Sequence, residues 1–264
     1  MRDWFRILKT NRFQIYNFEK ISKEIEKEEI NKFYLKTGAK NFDNVLGKGF
    51  HSKTIYLIFG SNKTGKTQLC HQLCIQASKS GYKLMYFDTE NTFRPERIKQ
   101  LATMQNLKLD NVLKNILVSK IMSNNAFILE LNNIEDIIKK QNVKVLIIDS
   151  INNYYRLEQG DDDISFQKAK STFLEIIQKL YFLTHNLNLI TIATAQITPN
   201  FNKETLIKEK PVGTQFLNHY ISEFLYLSYK EKDSGYVHLI NSLNLPEKKV
   251  LYRLTAKGIE DYKI

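Results

Sequence analysis

A short glycine-bearing segment carries the most specific chemical pattern in the chain. Its two glycines are spaced by four residues, and the second is followed directly by Lys66 and Thr67. Such glycines let backbone N–H groups curl around a polyphosphate, while the lysine supplies positive charge and the threonine hydroxyl can ligate Mg²⁺. The pattern therefore predicts a nucleoside triphosphate site. The predicted binding residues are Gly60, Ser61, Asn62, Lys63, Thr64, Gly65, Lys66, Thr67 and Gln68.

The sequence on either side of this segment has the order that a phosphate-binding loop requires. An apolar run, 55–59, precedes the segment, and an uninterrupted helical stretch begins at Gln68. Strand, loop and helix in this order place a helix N-terminus against the phosphates. A glycine turn without a ligand would explain the glycines, but it gives no reason for a Lys-Thr pair after them.

Polar side chains at three predicted strand ends extend the same site, because parallel strands bind ligands at their carboxyl ends. The apolar run 145–148 ends at Asp149, which we expect to hold Mg²⁺ together with Thr67. Glu90 follows another strand and could activate the water that attacks the terminal phosphate. Gln196 follows a third strand and could sense that phosphate. Taken alone, a capping or surface role explains Glu90 equally well, and spacing alone leaves the role of Gln196 open.

Apolar runs alternate with longer periodic segments from residue 54 to residue 195, which predicts a mostly parallel sheet with helices on both faces. The predicted strands are 54–59, 83–88, 115–119, 143–149 and 188–195, and the predicted helices are 65–79, 95–106, 124–140 and 165–185. Three later strand-like runs, 221–229, 236–241 and 250–255, predict an antiparallel extension of this sheet. The predicted fold class is therefore α/β.

The length and composition suit one large core with a short appendage. The chain has 264 residues, of which 42% are hydrophobic. We predict a basic N-terminal segment with a docking helix over residues 1–36, followed by a core domain over 37–264. No apolar stretch approaches the ~20 residues of a membrane span, and the chain start has no secretory apolar block. These features predict an intracellular protein that does not contact a membrane.

The charge balance favours a polyanionic partner such as nucleic acid. Lys and Arg number 39 and Asp and Glu 28, which gives a net charge of +11. Four basic residues among the first twelve form a candidate phosphate-contacting arm. An AT-rich coding bias would also raise the lysine content as solvated surface, so charge alone leaves the two explanations open.

Longer strings resemble one protein family. Residues 88–97 read Asp-Thr-Glu-Asn-Thr-Phe-Arg-Pro-Glu-Arg, residues 37–40 read Thr-Gly-Ala-Lys, and residues 66–71 read Lys-Thr-Gln-Leu-Cys-His. These strings resemble the archaeal RadA and eukaryotic strand-exchange recombinase branch of the RecA superfamily, over about residues 36–264. The ten-residue string makes the resemblance specific. It implies a RecA-like ATPase core that uses ATP and Mg²⁺.

The resemblance also implies roles for individual residues. Glu90 would be the catalytic glutamate, acting with Lys66 and Gln196, while Arg97 would stack on adenine. His219 would lie in the segment that couples nucleotide binding to DNA binding. The candidate DNA contacts, in the two segments that resemble the family's DNA-binding loops, are Arg156, Lys203, Lys208, Lys210 and Gly213.

The departures from the family pattern favour a short paralogue of RadA, of the RadB-like kind. We expect no helix-hairpin-helix domain before the core. Three adjacent carboxylates, 161–163, stand in the first loop and would repel phosphate, or they cap the helix that follows. The catalytic residues of the nucleotide site match, whereas the DNA loops match less well.

We therefore predict an ATP-binding, slowly hydrolysing recombinase paralogue in DNA recombination and repair. It would bind DNA, single-stranded in preference to double-stranded, regulate the principal RadA-type recombinase, or do both. We expect it in the cytoplasm at the nucleoid, or in the nucleus if the source is eukaryotic. Homo-oligomers are compatible with this prediction. Two alternatives stay open: a filament-forming strand-exchange recombinase, and a KaiC-like signalling ATPase that does not act on nucleic acid.

Overall fold

The computed structural model describes residues 30–159, 163–201, 205 and 207–262. Nearly all of them belong to one compact unit, Tyr34–Ile264. The predicted basic arm, most of the predicted docking helix, Lys203 and two of the three adjacent aspartates lie outside the described residues. Within the described part, no helix has the length and apolar character that crossing a membrane requires.

The described residues form eight helices and thirteen strands. The helices are α1 (Lys40–Val45), α2 (Lys66–Lys79), α3 (Pro95–Met104), α4 (Leu109–Leu113), α5 (Asn124–Gln141), α6 (Asn153–Leu157), α7 (Asp163–Asn186) and α8 (Thr214–Leu217). The strands are β1 (Tyr34–Leu35), β2 (Phe50–His51), β3 (Thr54–Phe59), β4 (Lys83–Asp88), β5 (Ile116–Lys120), β6 (Val143–Asp149), β7 (Ile190–Ala195), β8 (Ile197–Pro199), β9 (Glu209–Pro211), β10 (Glu223–Glu231), β11 (Ser234–Asn241), β12 (Lys248–Thr255) and β13 (Gly258–Asp261).

Nine strands form the central sheet, in the order β13-β12-β11-β10-β3-β7-β6-β4-β5. The six strands from β10 to β5 are parallel, and β11, β12 and β13 add antiparallel pairs at one side. The predicted α/β fold class, with its antiparallel extension, is therefore confirmed.

One detail of the predicted extension is wrong. The run predicted at 221–229 forms β10, which pairs in parallel with β3, so that Glu223 lies opposite Tyr56. The direction follows from the connection, because the chain between β7 and β10 returns to the end of the sheet where β3 begins. The antiparallel part starts only with β11, and it gains the unpredicted strand β13.

Helices cover both faces of the parallel strands. Leu146 and Ile148 of β6 belong to an apolar cluster that also contains Phe127 of α5 and Phe173 of α7. The alternate residue Ile147 points to the opposite face, where α2 packs against β6. Strands buried on both faces must be apolar throughout, which explains the continuous runs in the sequence.

This architecture brings four strand ends to one edge of the sheet. The neighbouring strands β3, β7, β6 and β4 run in the same direction. Phe59 is level with Ala195, and Asp88 is level with Asp149. The loops that follow these strands therefore open on a common surface, as expected for the ligand site of a parallel sheet.

Candidate nucleotide-binding site

A cavity of about 630 Å³ lies at this edge of the sheet. It is lined by the phosphate-binding loop (residues 60–67), the start of α2 and polar residues from the neighbouring strand ends. Its lining residues are Gly60, Ser61, Asn62, Lys63, Gly65, Lys66, Thr67, Gln68, Glu90, Asp149, Arg156, Thr194, Gln196 and Ile197. Residues from four separate sequence segments thus meet in one cavity.

Two positions in the loop accept only glycine. Gly60 has φ 149°, and a Cβ there would lie 1.9 Å from the backbone oxygen of Leu227. Gly65 has φ 95°, and a Cβ there would lie 2.7 Å from Leu254 Cδ2. Because these contacts come from β10 and β12, the strands on this side of the sheet fix the shape of the loop.

Two hydrogen bonds on the buried side of the loop also fix its shape. The buried Tyr252 hydroxyl donates to the Thr64 backbone oxygen at 2.5 Å. The Thr64 hydroxyl in turn donates to the Ser61 oxygen at 2.8 Å. Thr64 is only 2% exposed and lies beneath the cavity, so its side chain shapes the loop. The contact of Tyr252 with the phosphate-binding loop was not predicted, because no local sequence pattern connects Tyr252 to Thr64, 188 residues away.

Lys66 rests on its own loop. Its Nζ donates to the backbone oxygens of Gly60 at 2.7 Å and Ser61 at 3.0 Å. Burial lowers the pKa of Lys66, and the charges of Asp149 and Glu90 act in the opposite direction. An ammonium group has three donors, and only two are used here. Lys66 can therefore turn towards phosphate oxygens without breaking a strong ion pair.

Asp149 is a buried carboxylate, 2% exposed, surrounded by hydroxyl groups. Its Oδ2 accepts from the Tyr86 hydroxyl at 2.9 Å and the Thr92 hydroxyl at 3.2 Å, and its Oδ1 accepts from the Thr194 hydroxyl. Burial, and then Asp149, raise the pKa of Tyr86, which keeps Tyr86 a donor. A carboxylate offers about four acceptor positions, so about one remains on Oδ1. Together with the Thr67 hydroxyl this oxygen set suits Mg²⁺ with its water ligands.

Glu90 and Gln196 are directly connected. Glu90 Oε1 accepts from the Ser150 hydroxyl at 2.5 Å and from Gln196 Nε2 at 2.9 Å. Within the described residues no hydrogen bond reaches Glu90 Oε2, which is therefore available to a water molecule. Gln196 Oε1 accepts from Arg156 Nη1 at 2.8 Å. The three side chains form a continuous chain from Glu90 to α6.

The backbone of Gln196 is fixed as well. The wholly buried Asn152 accepts from the Gln196 N–H at 2.8 Å and donates to the Gln196 oxygen at 2.9 Å. Its Nδ2 also donates to the Val212 oxygen at 3.0 Å. Asn152 therefore joins the end of β7 to the segment that follows β9. A movement of the Gln196 backbone would therefore shift Asn152 and, through it, Val212.

Gln68 carries an unsatisfied group at the cavity wall. Its Nε2 is buried and finds no hydrogen-bond partner in the described part of the chain. Its Oε1 accepts from Arg97 Nε at 3.1 Å, and Arg97 Nη1 donates to the Ala256 oxygen at 2.8 Å. A buried donor without a partner costs about 1–3 kcal/mol. A ligand acceptor in the cavity would satisfy it, so the residues present fit a bound nucleotide.

The residues predicted to contact DNA are found in different places. Arg156 lines the nucleotide cavity itself. Lys208 and Lys210 are exposed, and Lys208 Nζ donates to the Thr205 oxygen at 3.0 Å. Gly213 has φ 81°, and a Cβ there would lie 2.7 Å from Phe173 Cε1, which gives Gly213 a packing role. Lys203 lies outside the described residues.

Arg97 and His219 do not line the cavity. Arg97 is one side chain removed from it, behind Gln68. His219 is exposed in the turn that follows α8, and its N–H donates to the Phe216 oxygen at 3.3 Å. The predicted roles of these two residues, adenine stacking and coupling, remain predictions.

Glu209 of β9 was missed by the sequence reasoning. Its Oε1 accepts a hydrogen bond from the Ser61 hydroxyl in the phosphate-binding loop. In the sequence, the lysines of the segment 197–213 indicate its function, and a single glutamate among them gives no signal of a role at the nucleotide site. The contact brings a carboxylate to the edge of the phosphate site.

Comparison with known proteins decides the family. A family model described as Rad51 matches residues 28–262, which is most of the chain. The chain belongs to the Rad51 family. This membership confirms the predicted recombinase branch of the RecA superfamily and the predicted ATPase. The more detailed prediction of a short RadA paralogue remains a prediction.

Similar curated proteins come from archaea and from mammals. The DNA repair and recombination protein RadA of Aeropyrum pernix is 28% identical over 249 residues, 92% of this chain and 77% of the relative. The meiotic recombination protein DMC1/LIM15 homolog of Homo sapiens is 30% identical over 243 residues, 88% of this chain and 71% of the relative. The same protein of Mus musculus is 29% identical over an equal length.

Proposed function

We propose that this Rad51-family chain is a slowly hydrolysing ATPase that acts on DNA in recombination and repair, at the nucleoid or in a nucleus. The names of the relatives, which refer to DNA repair and meiotic recombination, support the process. One observation carries the site: the cavity places Lys66, Thr67, Asp149, Glu90 and Gln196 around a common space. ATP and Mg²⁺ are the ligands that this set of groups would bind.

The hydrolytic step would use the groups that line the cavity. The loop amides and Lys66 would hold the phosphates, and Thr67 and Asp149 would hold Mg²⁺. When bound, Mg²⁺ neutralises charge on the terminal phosphate oxygens. Glu90 Oε2 would orient the attacking water and accept its proton. Glu90 Oε1 accepts hydrogen bonds from Ser150 and Gln196, which hold the carboxylate in position.

Gln196 and Arg156 would carry the nucleotide state to the DNA loops. If Gln196 Nε2 turns from Glu90 to the terminal phosphate of ATP, Glu90 is released and the bond to Arg156 is strained. Asn152 would pass a shift of the Gln196 backbone to Val212, next to the second loop. The coupling therefore has a physical path of direct hydrogen bonds.

The DNA contacts would come from the second loop. Lys208 and Lys210 are exposed there, and Phe201 is 86% exposed. Exposed lysines bind phosphates and an exposed aromatic ring stacks on unpaired bases, which favours a single strand over a duplex. A principal RadA-type recombinase is the proposed protein partner, and stacking into homo-oligomers remains compatible with the site.

Steady-state ATPase assays with and without a single-stranded oligonucleotide test this proposal. We expect a slow basal rate, stimulation by DNA, and loss of stimulation in Arg156→Gln because its bond to Gln196 is then weakened. Lys140→Gln removes the same charge from the far end of α5 and should keep the wild-type ratio of stimulated to basal rate. An equal ratio in Arg156→Gln and wild type would contradict the coupling path.

A binding assay separates the proposal from a signalling ATPase. Fluorescence anisotropy should show oligonucleotide binding that weakens steeply with salt, because several phosphates are contacted. If the protein does not bind the oligonucleotide at low salt, with or without ATP, a KaiC-like signalling ATPase that does not act on nucleic acid becomes the better interpretation.

A further inference from the structure

A second concave surface lies apart from the nucleotide site, between β1 and α1. Its volume is about 600 Å³, and it shares no lining residue with the nucleotide cavity. We call it the basic groove. Its lining residues are Tyr34, Lys36, Gly38, Lys40, Asp43, Asn44, Gly47 and Lys48.

The exposed charge of the basic groove is positive. Lys36, Lys40 and Lys48 are all exposed, and Lys248 Nζ reaches the rim, 3.3 Å from the Asn44 oxygen. None of the ion pairs formed within the described residues involves these four lysines. Their charges are therefore available to an anionic ligand.

The carboxyl groups near the groove are engaged elsewhere. Asp43 is the only acidic lining residue, and its Oδ1 accepts from the Thr37 N–H at 2.6 Å and the Thr37 hydroxyl at 2.8 Å. It is 9% exposed, so it is turned into the protein. Asp261, beside the groove, accepts from the backbone N–H groups of Lys40 and Asn41. Within the described residues neither carboxylate forms an ion pair with a lysine side chain, and only the charge of Lys36 acts on Asp43 from a distance.

The wall of the groove is fixed from inside. The buried Gln72 of α2 donates from Nε2 to the Thr37 oxygen at 2.8 Å and to the Ile259 oxygen at 2.9 Å. A Cβ at Gly38 would lie 2.7 Å from Gln76 Nε2, so α2 also packs closely behind this wall. A preformed wall loses little conformational freedom when a ligand binds.

Tyr34 adds an aromatic surface to the groove. Its ring lines the groove, and Lys48 Nζ lies 5.9 Å from the ring centroid. Basic side chains that follow a phosphate backbone, next to a ring on which a base can stack, are the elements of single-strand recognition. Free phosphate would use the lysines but not the ring.

We propose that the basic groove is a second binding site for single-stranded nucleic acid, with Lys36, Lys40 and Lys48 on phosphates and Tyr34 against a base. The inference goes beyond the function proposed above, because the groove is separate from the nucleotide cavity and from the loop that carries Lys208 and Lys210. It requires neither ATP nor that loop.

Anisotropy titrations of the full chain with labelled oligo-dT and oligo-rU test the site. The variant K36A/K40A/K48A removes three phosphate contacts, each of which contributes about 0.7 to the salt dependence of log K. We expect the slope to become less steep by about 2, and affinity at low salt to fall about tenfold or more. The triple variant K99A/K108A/K114A loses the same charge from another surface and should bind within about twofold of wild type.

The aromatic contact has its own pair of variants. Tyr34→Leu should weaken binding at least about fivefold, because one stacked base is lost, whereas Tyr34→Phe should bind like wild type. If Tyr34→Leu fails to fold, the exposed lysine variants still decide the question. The two oligonucleotides show whether the natural strand is DNA or RNA, and either result supports the site.

Three results would overturn the proposal. The first is wild-type affinity and slope in K36A/K40A/K48A, and the second is an equal loss in both triple variants, which would show a general charge effect. The third is competition by heparin as effective as that by oligonucleotide, together with no effect of Tyr34→Leu. A failure of ATP binding or of the Lys208 and Lys210 contacts would leave this test unaffected.

Discussion

Replacing Glu209 with glutamine should strengthen ATP binding, because the Glu209 carboxylate stands beside the loop that receives the triphosphate. Ser61 donates its hydroxyl hydrogen to Glu209 Oε1, and Ser61 itself lines the nucleotide cavity. Glu209 also acts on Lys66: burial lowers the pKa of Lys66, and the charges of Asp149, Glu90 and Glu209 oppose this effect. The carboxylate therefore shares the electrostatic field of the phosphate site. Glutamine removes the charge and still accepts the bond from Ser61.

The expected size follows from Coulomb's law. Two unit charges about 8 Å apart repel by about 0.5–2 kcal/mol for effective dielectric constants between about 80 and 20. Glu209 is half-buried, so a value on the order of 1 kcal/mol is appropriate, which is about a fivefold tighter Kd. The effect should diminish in about 1 M salt, where the screening length is about 3 Å.

Titration calorimetry with Mg·ATP is the assay. Adenosine lacks the phosphates, so Glu209→Gln should leave its affinity unchanged. Glu175→Gln removes a carboxylate from the exposed surface of α7, where Glu175 pairs with Lys179, and should leave both affinities unchanged. Unchanged or weaker ATP binding in Glu209→Gln, with adenosine binding intact, would refute the reasoning.

Three further predictions concern the groups that hold the site in place. Burial lowers the pKa of His71 in the folded protein. Below about pH 6.5 the histidine is therefore protonated in the unfolded chain but stays neutral in the folded protein, so the free energy of unfolding declines as the pH falls. His71→Gln should flatten this decline in urea unfolding measured between about pH 7 and 5, and an unchanged slope would contradict it. Tyr252→Phe leaves the Thr64 oxygen without its donor and should lower the free energy of unfolding by about 1–3 kcal/mol; denaturant unfolding checks this, and a loss below about 0.5 kcal/mol would contradict it. Gly60→Ala places a methyl group against the Leu227 oxygen and should abolish ATP binding, as measured by calorimetry; wild-type affinity would contradict it.

The sequence could predict the parts of the fold and site that depend on local patterns. Strands buried on both faces must be apolar throughout, so β3, β4 and β6 were predicted with the bounds that the structure has. The loop glycines, Lys66 and Thr67 are adjacent in sequence, and Asp149 ends an apolar strand. In a parallel sheet all such ends meet at one edge, so the position of Asp149 opposite the loop followed from topology.

Contacts between distant segments could not be predicted in this way. Ser61 and Glu209 are 148 residues apart, and Thr64 and Tyr252 are 188 apart, so no local spacing relates them. Arg156 was assigned to DNA by resemblance, yet its hydrogen bond to Gln196 joins residues 40 apart in the sequence, which no local pattern reveals. The parallel pairing of β10 with β3 could not be predicted either, because an apolar strand has the same sequence pattern in parallel and antiparallel pairs.

The most direct test of the central claim is calorimetric titration of the full chain with Mg·ATP, supported by thermal unfolding with and without the nucleotide. The account predicts saturable binding and a raised Tm for wild type, and binding weakened at least about tenfold in Lys66→Ala, since a charged contact to phosphate is worth about 1.5–3 kcal/mol. Lys79→Ala, at the exposed end of the same helix, should match wild type. A well-folded wild-type protein without binding, or equal affinity in Lys66→Ala, would contradict the assignment of the nucleotide site.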